Sequence, residues 1–547
     1  MSLLDALLLE PHRLDVWIAK RTDGIKGCGT QSDPYNANTD EDAGRFDTVM
    51  SALPGGTPLR VHLGPGEYLT RGYADGVSGG WQVKSGMKLI GWGIDVTTLR
   101  LAQATTGSRH YWVVGHALSE GSPPVGNALD FVEILEMTIH CDLVNQTGSQ
   151  IACGAVRLMG NHCRVQRVKA VGWGSKTSGP TCRVFAMITA DPASGISGVV
   201  NLGIVECLAV QGESSSVNVG PIVGLHVGGL EAGSTHVEAF GQAPFIRDCY
   251  VDGEGVPSGT EVRGLSMGWC ARGVVEGNRI FNCRIGGPFQ EQSSTREIVV
   301  RDNTYKNVEK GPYWQLGTLS PNVLTGAQTA DLDRIGSDAT ITMPTGVEHF
   351  LEVGDRVQIS GSPNDFDGIH EITAKQDETF TFKTSVISQG EAVISSIKKV
   401  FGVERVLVEG NTLEISTATS GDIIGIHVDD ASIGGKDPVY PAYPHGEVMV
   451  LSNRFRYVDG AFQTSPPFVG YALRVNGAER LQVRDNVVES VQTNPLRNER
   501  SGSVRYFNNQ KPDGTLIRGF KDDTDQRYNE LETDAEDALI LALFNRR

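Results

Sequence analysis

A six-residue pattern of alternating apolar and polar positions returns along most of this chain. Its order is apolar, polar, small or acidic, Asn, polar and apolar. Asn278 and Asn303 lie 25 residues apart, and Asn453 and Asn486 lie 33 residues apart. Alternation with a period of two predicts short strands, and recurrence roughly every 20–50 residues is typical of stacked repeats. The copies are 275–280, 300–305, 408–413, 450–455 and 483–488, and 246–251 carries Cys in the Asn position.

A strand of six residues cannot bury its apolar face alone, so each copy must stack on the next. The pattern therefore predicts an all-β fold, a right-handed parallel β-helix. Leucine-rich repeats are excluded because Leu does not dominate the repeat, and helical repeats because residues 60–510 hold no adequate run with helical period. A propeller would need four strands per unit and a period near ~40 residues.

The Asn residues of the repeat are predicted to be structural rather than catalytic. Asn tolerates left-handed backbone angles, so it can turn the chain sharply between strands. Stacked Asn side chains can also hydrogen-bond to one another along the stack. Cys249 occupies the Asn position of its copy and is compatible with a small, inward and dry site.

Three segments near the N-terminus carry a resemblance to a known superfamily. Residues 54–69 have the form of a "GGT…V…PGTY" pattern, 83–93 follow "SG…L.G.G", and 97–101 hold Thr-Thr-Leu. This resembles the opening of the pectate-lyase-like superfamily, which includes phage tailspikes. The resemblance implies the β-helix fold. It does not imply one activity, because the superfamily contains lyases, hydrolases, esterases, epimerases and proteins without catalysis.

The repeat is interrupted between Asn303 and Asn411, which predicts an insertion. Residues 325–398 show short alternating strands joined by Gly and Asp turns. With His349, Gly354-Asp355 and Phe366-Asp367-Gly368, the segment is similar to a small barrel module of phage tail and particle proteins, although Glu348-His349-Phe350 stands where His-Gly is usual. The resemblance implies a particle component.

These observations predict five parts in the chain. The helical spacing of apolar residues predicts a short amphipathic helix within 1–20, a second helix near 45–53 and a tail helix within 525–547. Short terminal helices of this kind cover the ends of a solenoid. The parts are a cap or attachment segment (1–59), the first β-helix coils (60–324), the inserted β module (325–398), the last coils (399–510) and a tail (511–547).

Charge and cysteine content narrow the partners and the compartment. The formal net charge is −17, which disfavours nucleic acid as a ligand. Nine Cys residues occur without a CxxC pair, which predicts buried thiols rather than a metal or redox motif. Residues 1–10 lack a basic secretory signal and no run reaches membrane-span length, so we expect synthesis in the cytoplasm, no membrane insertion and assembly into a virion or phage-like particle.

Two chemistries have candidate acidic residues. Glycoside hydrolysis needs two suitably spaced carboxylates, and the candidates, which lie on neighbouring coils, are Asp248, Asp252, Glu254, Glu276 and Asp302. Solvated turn carboxylates are the competing interpretation. Calcium-assisted β-elimination would need an acidic loop such as Asp429, Asp430 and Asp437 with Lys436, so Ca²⁺ is an alternative to the expectation of no cofactor and no metal. No GxSxG nucleophile elbow appears in a strand–helix context in the sequence.

Aromatic and histidine residues supply the binding candidates. The flat face of an aromatic ring suits the apolar face of a sugar, and Tyr313 and Trp314, in a Gly-Pro-Tyr-Trp segment, are the predicted substrate contacts. His226 and His427 lie in similar strands, Gly-Leu-His-Val and Gly-Ile-His-Val, and are interpreted as satisfied core or groove histidines.

The expected function is that of a tailspike-like appendage protein that binds a bacterial surface polysaccharide, with cleavage left open. The alternatives are a free polysaccharide lyase or glycoside hydrolase, and a purely structural β-solenoid. Because phage tailspikes of this fold are generally trimers, a homotrimer with polysaccharide and other particle proteins as partners is expected.

Overall fold

The protein is built almost entirely from β-strands. The computed structural model divides it into two compact units, Met1–Val308 and Glu309–Arg547, called here the first and second units. Within the described residues one α-helix occurs, Arg45–Ala52, besides a 3-10 turn at Leu143–Asn145. The structure describes residues 14–74, 80–102, 109–115, 129–148, 151–177, 181–188, 199–210, 212, 220–228, 241–256, 260–268, 270–290, 295–315, 324, 329–347, 349, 351–360, 366–385, 392–400, 403–415, 423–429, 445–457, 470–489, 496–499 and 502–517.

The first unit contains two sheets whose pairings are mostly parallel. The first sheet holds Leu14–Ala19, Tyr35–Asn36, Leu59–Leu63, Gly66–Thr70, Met87–Ile90, Thr97–Leu101, Glu133–His140, Arg164–Val171, Gly203–Val205, Leu208–Ala209, Gly241–Gln242, Phe245–Arg247, Tyr250–Asp252, Cys270–Ala271, Gly273–Glu276, Arg279–Phe281, Thr295–Arg301 and Thr304–Val308. The second sheet holds Tyr73–Ala74, Arg109–Gly115, Leu129–Asp130, Ile151–Asn161, Gly174–Ser175, Cys182–Ile188, Ile222–Gly228, Val262–Met267 and Phe289–Gln290.

The second unit repeats this two-sheet design and adds a third sheet. Its first sheet holds Val403–Glu409, Thr412–Ile415, His445–Leu451, Arg454–Tyr457, Ala478–Arg484, Val487–Glu489 and Ser503–Phe507, and its second sheet holds Tyr313–Gln315, Ile423–Asp429, Gly470–Asn476 and Leu496–Glu499. The third sheet is antiparallel and holds Ala330–Ile335, Asp338–Thr342, Arg356–Ser360, Gly368–Lys375, Thr379–Lys383, Ala392–Ile394 and Ser396–Lys399.

Successive copies of the repeat lie in register, one above the next, as the pattern predicts. Arg247 pairs with Glu276 and Glu276 with Arg301, each across a parallel ladder. Alternate residues of the strands are buried, as in Leu59–Leu63, where Leu59, Val61 and Leu63 point into the core. Each short strand therefore completes its apolar core with those of its neighbours, and the predicted class, a parallel β-helix, is confirmed.

A ladder of buried side chains joins the corners of these rungs. In the first unit, Asn278 Nδ2 donates to Asn303 Oδ1 at 2.9 Å and to the Ile246 carbonyl at 3.0 Å. The Cys249 backbone N–H donates to Asn278 Oδ1 at 3.0 Å, so the thiol rung joins the same ladder. Because the polar atoms of each buried amide find partners, burying them costs little, and the structural role predicted for these Asn residues is confirmed.

The sequence predicts that the Asn adopts the left-handed conformation at each corner. In the structure, the residue before the Asn adopts it instead. Gly277, Asp302, Ser452 and Asp485 have φ angles of 68°, 56°, 55° and 57°. The small or acidic position of the repeat therefore makes the turn. The two adjacent positions have different roles for a physical reason. The turn needs a residue that tolerates positive φ, whereas the next position must direct an amide into the ladder.

The ladder of the second unit runs one rung further than the sequence pattern indicated. Asn411, Asn453 and Asn486 are linked as in the first unit, and Asn486 Nδ2 donates to Asn509 Oδ1 at 2.8 Å. Asn509 does not fit the sequence pattern because Gln510 and Lys511 follow it, so the apolar end of the repeat is missing.

Two predictions near the N-terminus have different outcomes. The short helix expected at 45–53 is present as Arg45–Ala52 and is confirmed. The expected amphipathic helix within 1–20 is wrong for its second half, because Leu14–Ala19 is a strand paired in parallel with Leu59–Leu63. Ladder hydrogen bonds to that neighbour outweigh a weak helical pattern. Residues 1–13 and the predicted tail helix lie outside the described residues.

The inserted segment forms a small closed sheet. Ala392–Ile394 pairs with Ala330–Ile335, and Ser396–Lys399 pairs with Arg356–Ser360 at the opposite end of the strand order. Since only Ser395 separates those two strands, one continuous segment closes both edges and the sheet becomes a barrel. Its interior is a separate apolar core that includes Phe366, Phe380 and Phe382 among its members.

Removal of one ladder amide should destabilise the second unit strongly. Asn453→Ala would take away the acceptor of the Asn411 backbone N–H and the donor to the Val408 carbonyl. Leaving such buried groups without partners should lower the free energy of unfolding by about 3–5 kcal/mol. Urea denaturation checks this, with Arg454→Ala, an exposed neighbour, as the control expected to stay within ~0.5 kcal/mol. Equal losses in the two variants would contradict a stabilising ladder.

Candidate functional site

The five candidate carboxylates lie on neighbouring rungs of the first unit but do not converge on one point. Asp248 and Asp302 are both exposed at equivalent left-handed corners. The Gly277 rung lies between them, so their backbones are separated by two strand spacings, roughly 10 Å. This arrangement lacks the close carboxyl pair, ~5 Å apart, that a retaining glycosidase uses. Glu254 is exposed on the turn that follows Asp252.

The other two candidates are engaged by their neighbours. Glu276 accepts hydrogen bonds from Arg301, with Nε at 2.9 Å, and lies 3.5 Å from Arg247 Nε, so it is held in a column of alternating charge. Asp252 accepts from the Tyr250 hydroxyl and from Asn282 Nδ2, each at 2.8 Å. A hydrolytic role for the five carboxylates stays a prediction, and their observed contacts are those of corner residues.

The predicted sugar contacts lie in the second sheet of the second unit. Trp314 is fully buried, so its indole presents no face to a sugar, which corrects the expectation for this residue. Both residues belong to the strand Tyr313–Gln315. Tyr313 is 8% exposed, and its ring stacks on that of His427 with centroids 4.7 Å apart.

A group of cationic, histidine and aromatic side chains occupies one face of the second sheet in the first unit. The parallel register places Ala186, His226 and Ser266 in one column, with Arg157 opposite Ala186. Leu225 and Leu265, one position earlier, form a fully buried column. The first-unit basic cluster is defined here as His110, Trp112, Arg157, Arg183, His226 and Ser266.

Burial and positive charge keep the histidine of this column neutral. His226 is 7% exposed, and its Nδ1 lies 3.2 Å from Ser266 Oγ. Burial, assisted by the positive charges of Arg183 and Arg157, holds the pKa of His226 well below its ordinary value. Among the described residues, His226 Nε2 has no hydrogen-bond partner. The column therefore contains a neutral imidazole with a nitrogen available to a ligand.

An aromatic ring lies directly beside the buried arginine. Arg157 is only 2% exposed, and its guanidinium carbon lies 4.6 Å from the centroid of the Trp112 ring. The indole covers Gly154, where an added Cβ would approach Trp112 Nε1 to 2.9 Å. Glycine at this position therefore permits the close packing that places the ring beside the guanidinium. Arg183 is half-buried and gives the cluster contact with solvent.

These groups suit a sugar that carries a carboxylate. A guanidinium binds a carboxylate through two parallel hydrogen bonds. A neutral imidazole and a serine hydroxyl can each donate a hydrogen bond to a sugar hydroxyl or accept one from it. The ring of an aromatic residue matches the apolar face of a pyranose. The cluster combines all three kinds of group in a protein whose formal net charge is −17.

The geometry does not test the expectations about Ca²⁺, other cofactors or the cellular compartment. No group of three or more His, Cys, Asp or Glu side chains is arranged to hold a metal among the described residues. Asp430, Lys436 and Asp437 of the proposed calcium loop lie outside those residues, as does the side chain of Asp429. Within the described part of the chain, no helix has the length and apolar character needed to cross a membrane.

All nine cysteines are free thiols, and eight of them are buried. Cys28 is the exposed one. Burial raises the pKa of Cys163 to about 12 and that of Cys182 likewise to about 12, which makes these thiols poor nucleophiles. The prediction of buried, structural thiols is confirmed for the eight cysteines other than Cys28.

The sequence pattern pointed to His226 of the cluster but not to its arginines. A usable signal was present, because Arg157 interrupts the apolar run Ala-Val-Arg-Leu-Met and Arg183 interrupts Cys-Arg-Val-Phe. A cation inside an apolar strand is rarely buried unless it has a partner or a ligand. Such interruptions, together with His226, are the sequence signal for this face.

Comparison with known proteins adds context at the level of overall similarity. No protein-family model matches the chain. No curated protein sequence matches it either. Solved structures similar to it include the A-module of mannuronan C-5 epimerase AlgE6 from Azotobacter vinelandii, with 10% identity, 86% of this chain and 90% of that chain covered, and a TM-score of 0.42.

Two further similar structures come from a bacterial surface and a phage. The surface adhesin PfbA of Streptococcus pneumoniae has 10% identity over 90% of this chain and 91% of that chain, with a TM-score of 0.43. The tailspike protein of E. coli bacteriophage HK620, solved as a mutant with a pentasaccharide, has 9% identity over 93% of this chain and 80% of that chain, with a TM-score of 0.28. Such distant similarities do not decide an activity, which has to be argued from the geometry of this chain.

Acidification should destabilise the fold through the buried histidines. Burial, together with Arg183 and Arg157, lowers the pKa of His110 from 6.5 to about 4. Between these pH values the unfolded chain binds a proton that the folded chain does not, so stability falls as the pH falls. From about pH 7.5 to about pH 4, the unmodified protein should lose about 3 kcal/mol more unfolding free energy than His110→Gln. Urea titrations of both proteins across this range measure the difference, and parallel pH profiles would contradict it.

Proposed function

We propose that this protein is a polysaccharide-binding β-helix that holds an acidic glycan at the first-unit basic cluster. The observation that carries the proposal is the pair Arg157 and Arg183 beside neutral His226 on one face of the second sheet. A bacterial surface glycan with a carboxylate on its repeating unit offers the complementary charge. The overall negative charge of the protein keeps more densely charged polyanions at a distance.

The particle context is part of the proposal. A tailspike-like appendage of a phage or phage-like particle, acting at a bacterial surface, would combine a glycan-binding β-helix with a means of attachment. The small barrel at Ala330–Lys399, similar in sequence pattern to modules of phage particle proteins, supports this context. It is a separately folded element with its own core, as an attachment or spacer module would be.

A panel of soluble polysaccharides tests the binding proposal. Polygalacturonate and hyaluronan should bind, and neutral dextran should not. Arg183→Gln should weaken polyuronate binding about tenfold or more, because it removes a charge-assisted hydrogen bond worth ~1.5–3 kcal/mol. Rising salt should weaken binding further. Arg279→Gln, an exposed arginine of the first sheet, is the matched control.

Isothermal titration calorimetry at two salt concentrations gives these affinities. Equal affinity for dextran and the polyuronates would refute recognition of the carboxylate. Equal losses in Arg183→Gln and Arg279→Gln would remove the first-unit basic cluster as the binding site.

A polysaccharide lyase is the second candidate function. The unprotonated imidazole of His226, whose Nδ1 lies 3.2 Å from Ser266 Oγ, is the candidate acceptor of the proton adjacent to a carboxylate. The bond from the neighbouring carbon to the glycosidic oxygen would then break, the departing oxygen would take up a proton from water, and an unsaturated uronate would remain. Its ultraviolet absorbance distinguishes a lyase from a binding protein, and loss of the signal in His226→Gln would assign the base.

The proposed appendage is a homotrimer. Size-exclusion chromatography with light scattering should give the mass of three chains of 58.8 kDa each. A mass of one chain would remove the trimer and weaken the tailspike context without touching glycan binding.

A further inference from the structure

A second cluster of cationic and aromatic side chains lies in the second unit. The register aligns Tyr313 with His427 and His427 with Arg474 across parallel ladders. The rings of Tyr313 and His427 are nearly parallel, at 16°, with centroids 4.7 Å apart. Lys310 Nζ lies 5.0 Å from the centroid of the Tyr313 ring. The second-unit basic cluster is defined here as Lys310, Tyr313, His427 and Arg474.

The two clusters use the same local design although their residues differ. His427 stands in Gly-Ile-His-Val as His226 stands in Gly-Leu-His-Val, and both histidines are at least nine-tenths buried. Gly425 permits close packing because an added Cβ there would approach the Phe455 ring to 2.8 Å. Burial, with the positive charges of Arg474 and Lys310, holds the pKa of His427 well below its ordinary value. Each unit thus carries a neutral imidazole among cations.

The composition of the second-unit basic cluster points to an anionic sugar. Lys310 and Arg474 are half-buried and supply positive charge at the edge of the cluster. The guanidinium of Arg474 and the ammonium of Lys310 can bind a carboxylate, and the edge of the stacked Tyr313 ring can contact the sugar. The positive charges of Arg474 and Lys310 both act on His427.

We propose that the second-unit basic cluster is a second binding site for a carboxylated sugar, so that the protein binds an acidic polysaccharide at two sites per chain. The class of ligand rests on the proposed function, and the location rests on the second unit alone. A polyuronate carries one negative charge on each sugar, which suits a site with two cations. A nucleic acid, with its dense phosphates, would meet strong repulsion from a protein of net charge −17.

Ring-nitrogen NMR of the full-length protein with ¹⁵N-labelled histidine tests each site separately. Glucuronate, galacturonate and mannuronate are added one at a time, with glucose as the neutral control. His226→Gln and His427→Gln assign the two signals. We expect both signals to shift and saturate with the uronates and to stay still with glucose. His370, whose Nε2 lies 2.8 Å from the Phe366 carbonyl in the barrel, is the internal control.

Variants that remove one positive charge measure how much each cluster contributes to uronate binding. Arg474→Gln should weaken uronate binding at His427 about tenfold and leave the titration of the His226 signal unchanged. Arg183→Gln should have the converse effect. Equilibrium dialysis with radiolabelled uronate should give two molecules per chain at saturation, and near the dissociation constant of the unmodified sites either variant should bind roughly half as much.

The outcomes separate this inference from the proposed function. A His427 signal that stays still while His226 responds overturns the second site and leaves the proposed function standing. A response of His427 alone upholds the second site and removes the first-unit basic cluster from the proposed function. If neither signal responds to any of the uronates, both proposals fall. A response of both to glucose as well would overturn recognition of the carboxylate.

Discussion

The fold depends on the hydrogen bonds that buried amides make from one rung to the next. Asn453 illustrates this, because its Nδ2 donates to the Val408 carbonyl at 2.9 Å and to Asn486 Oδ1 at 3.1 Å, while its Oδ1 accepts from Asn411. One side chain thus joins three successive rungs. A slip of one residue would turn the amides outward and the polar residues inward, leaving buried groups without partners. Parallel strands of only a few residues acquire a fixed register in this way.

A fixed register converts the linear sequence into columns of side chains. Neighbours in a column lie one strand spacing apart, ~4.8 Å, whatever the length of chain between them. The alternating charges of Arg247, Glu276 and Arg301 form one such column, and they explain why a predicted catalytic carboxylate is held as part of an ion-pair ladder. Ala186, His226 and Ser266 form another, and its composition supports binding instead.

The electrostatics of the molecule act at two ranges. The net charge of −17 is felt over distances of about a Debye length, ~8–10 Å in physiological salt, and repels dense polyanions. At shorter range, the positive charges of Arg183 and Arg157 act on His226, and those of Arg474 and Lys310 act on His427. A sparsely charged, flexible polysaccharide can satisfy the local demand without a large long-range cost. This balance is the physical basis for proposing an acidic glycan as the ligand.

The sequence by itself determined the repeat, the parallel β-helix and the burial of the Asn and Cys positions, because alternation decides which face of every strand is buried. It also located the helix Arg45–Ala52. Only the tertiary structure decided that Leu14–Ala19 joins a sheet, that the barrel closes through a single segment and that Trp314 is buried. The alignment of Arg157 and His226 in one column, on either side of Ala186, belongs to the same group. Which residues become neighbours on adjacent rungs depends on the number of residues between one strand and the next. A local pattern of apolar and polar residues carries no information about that number.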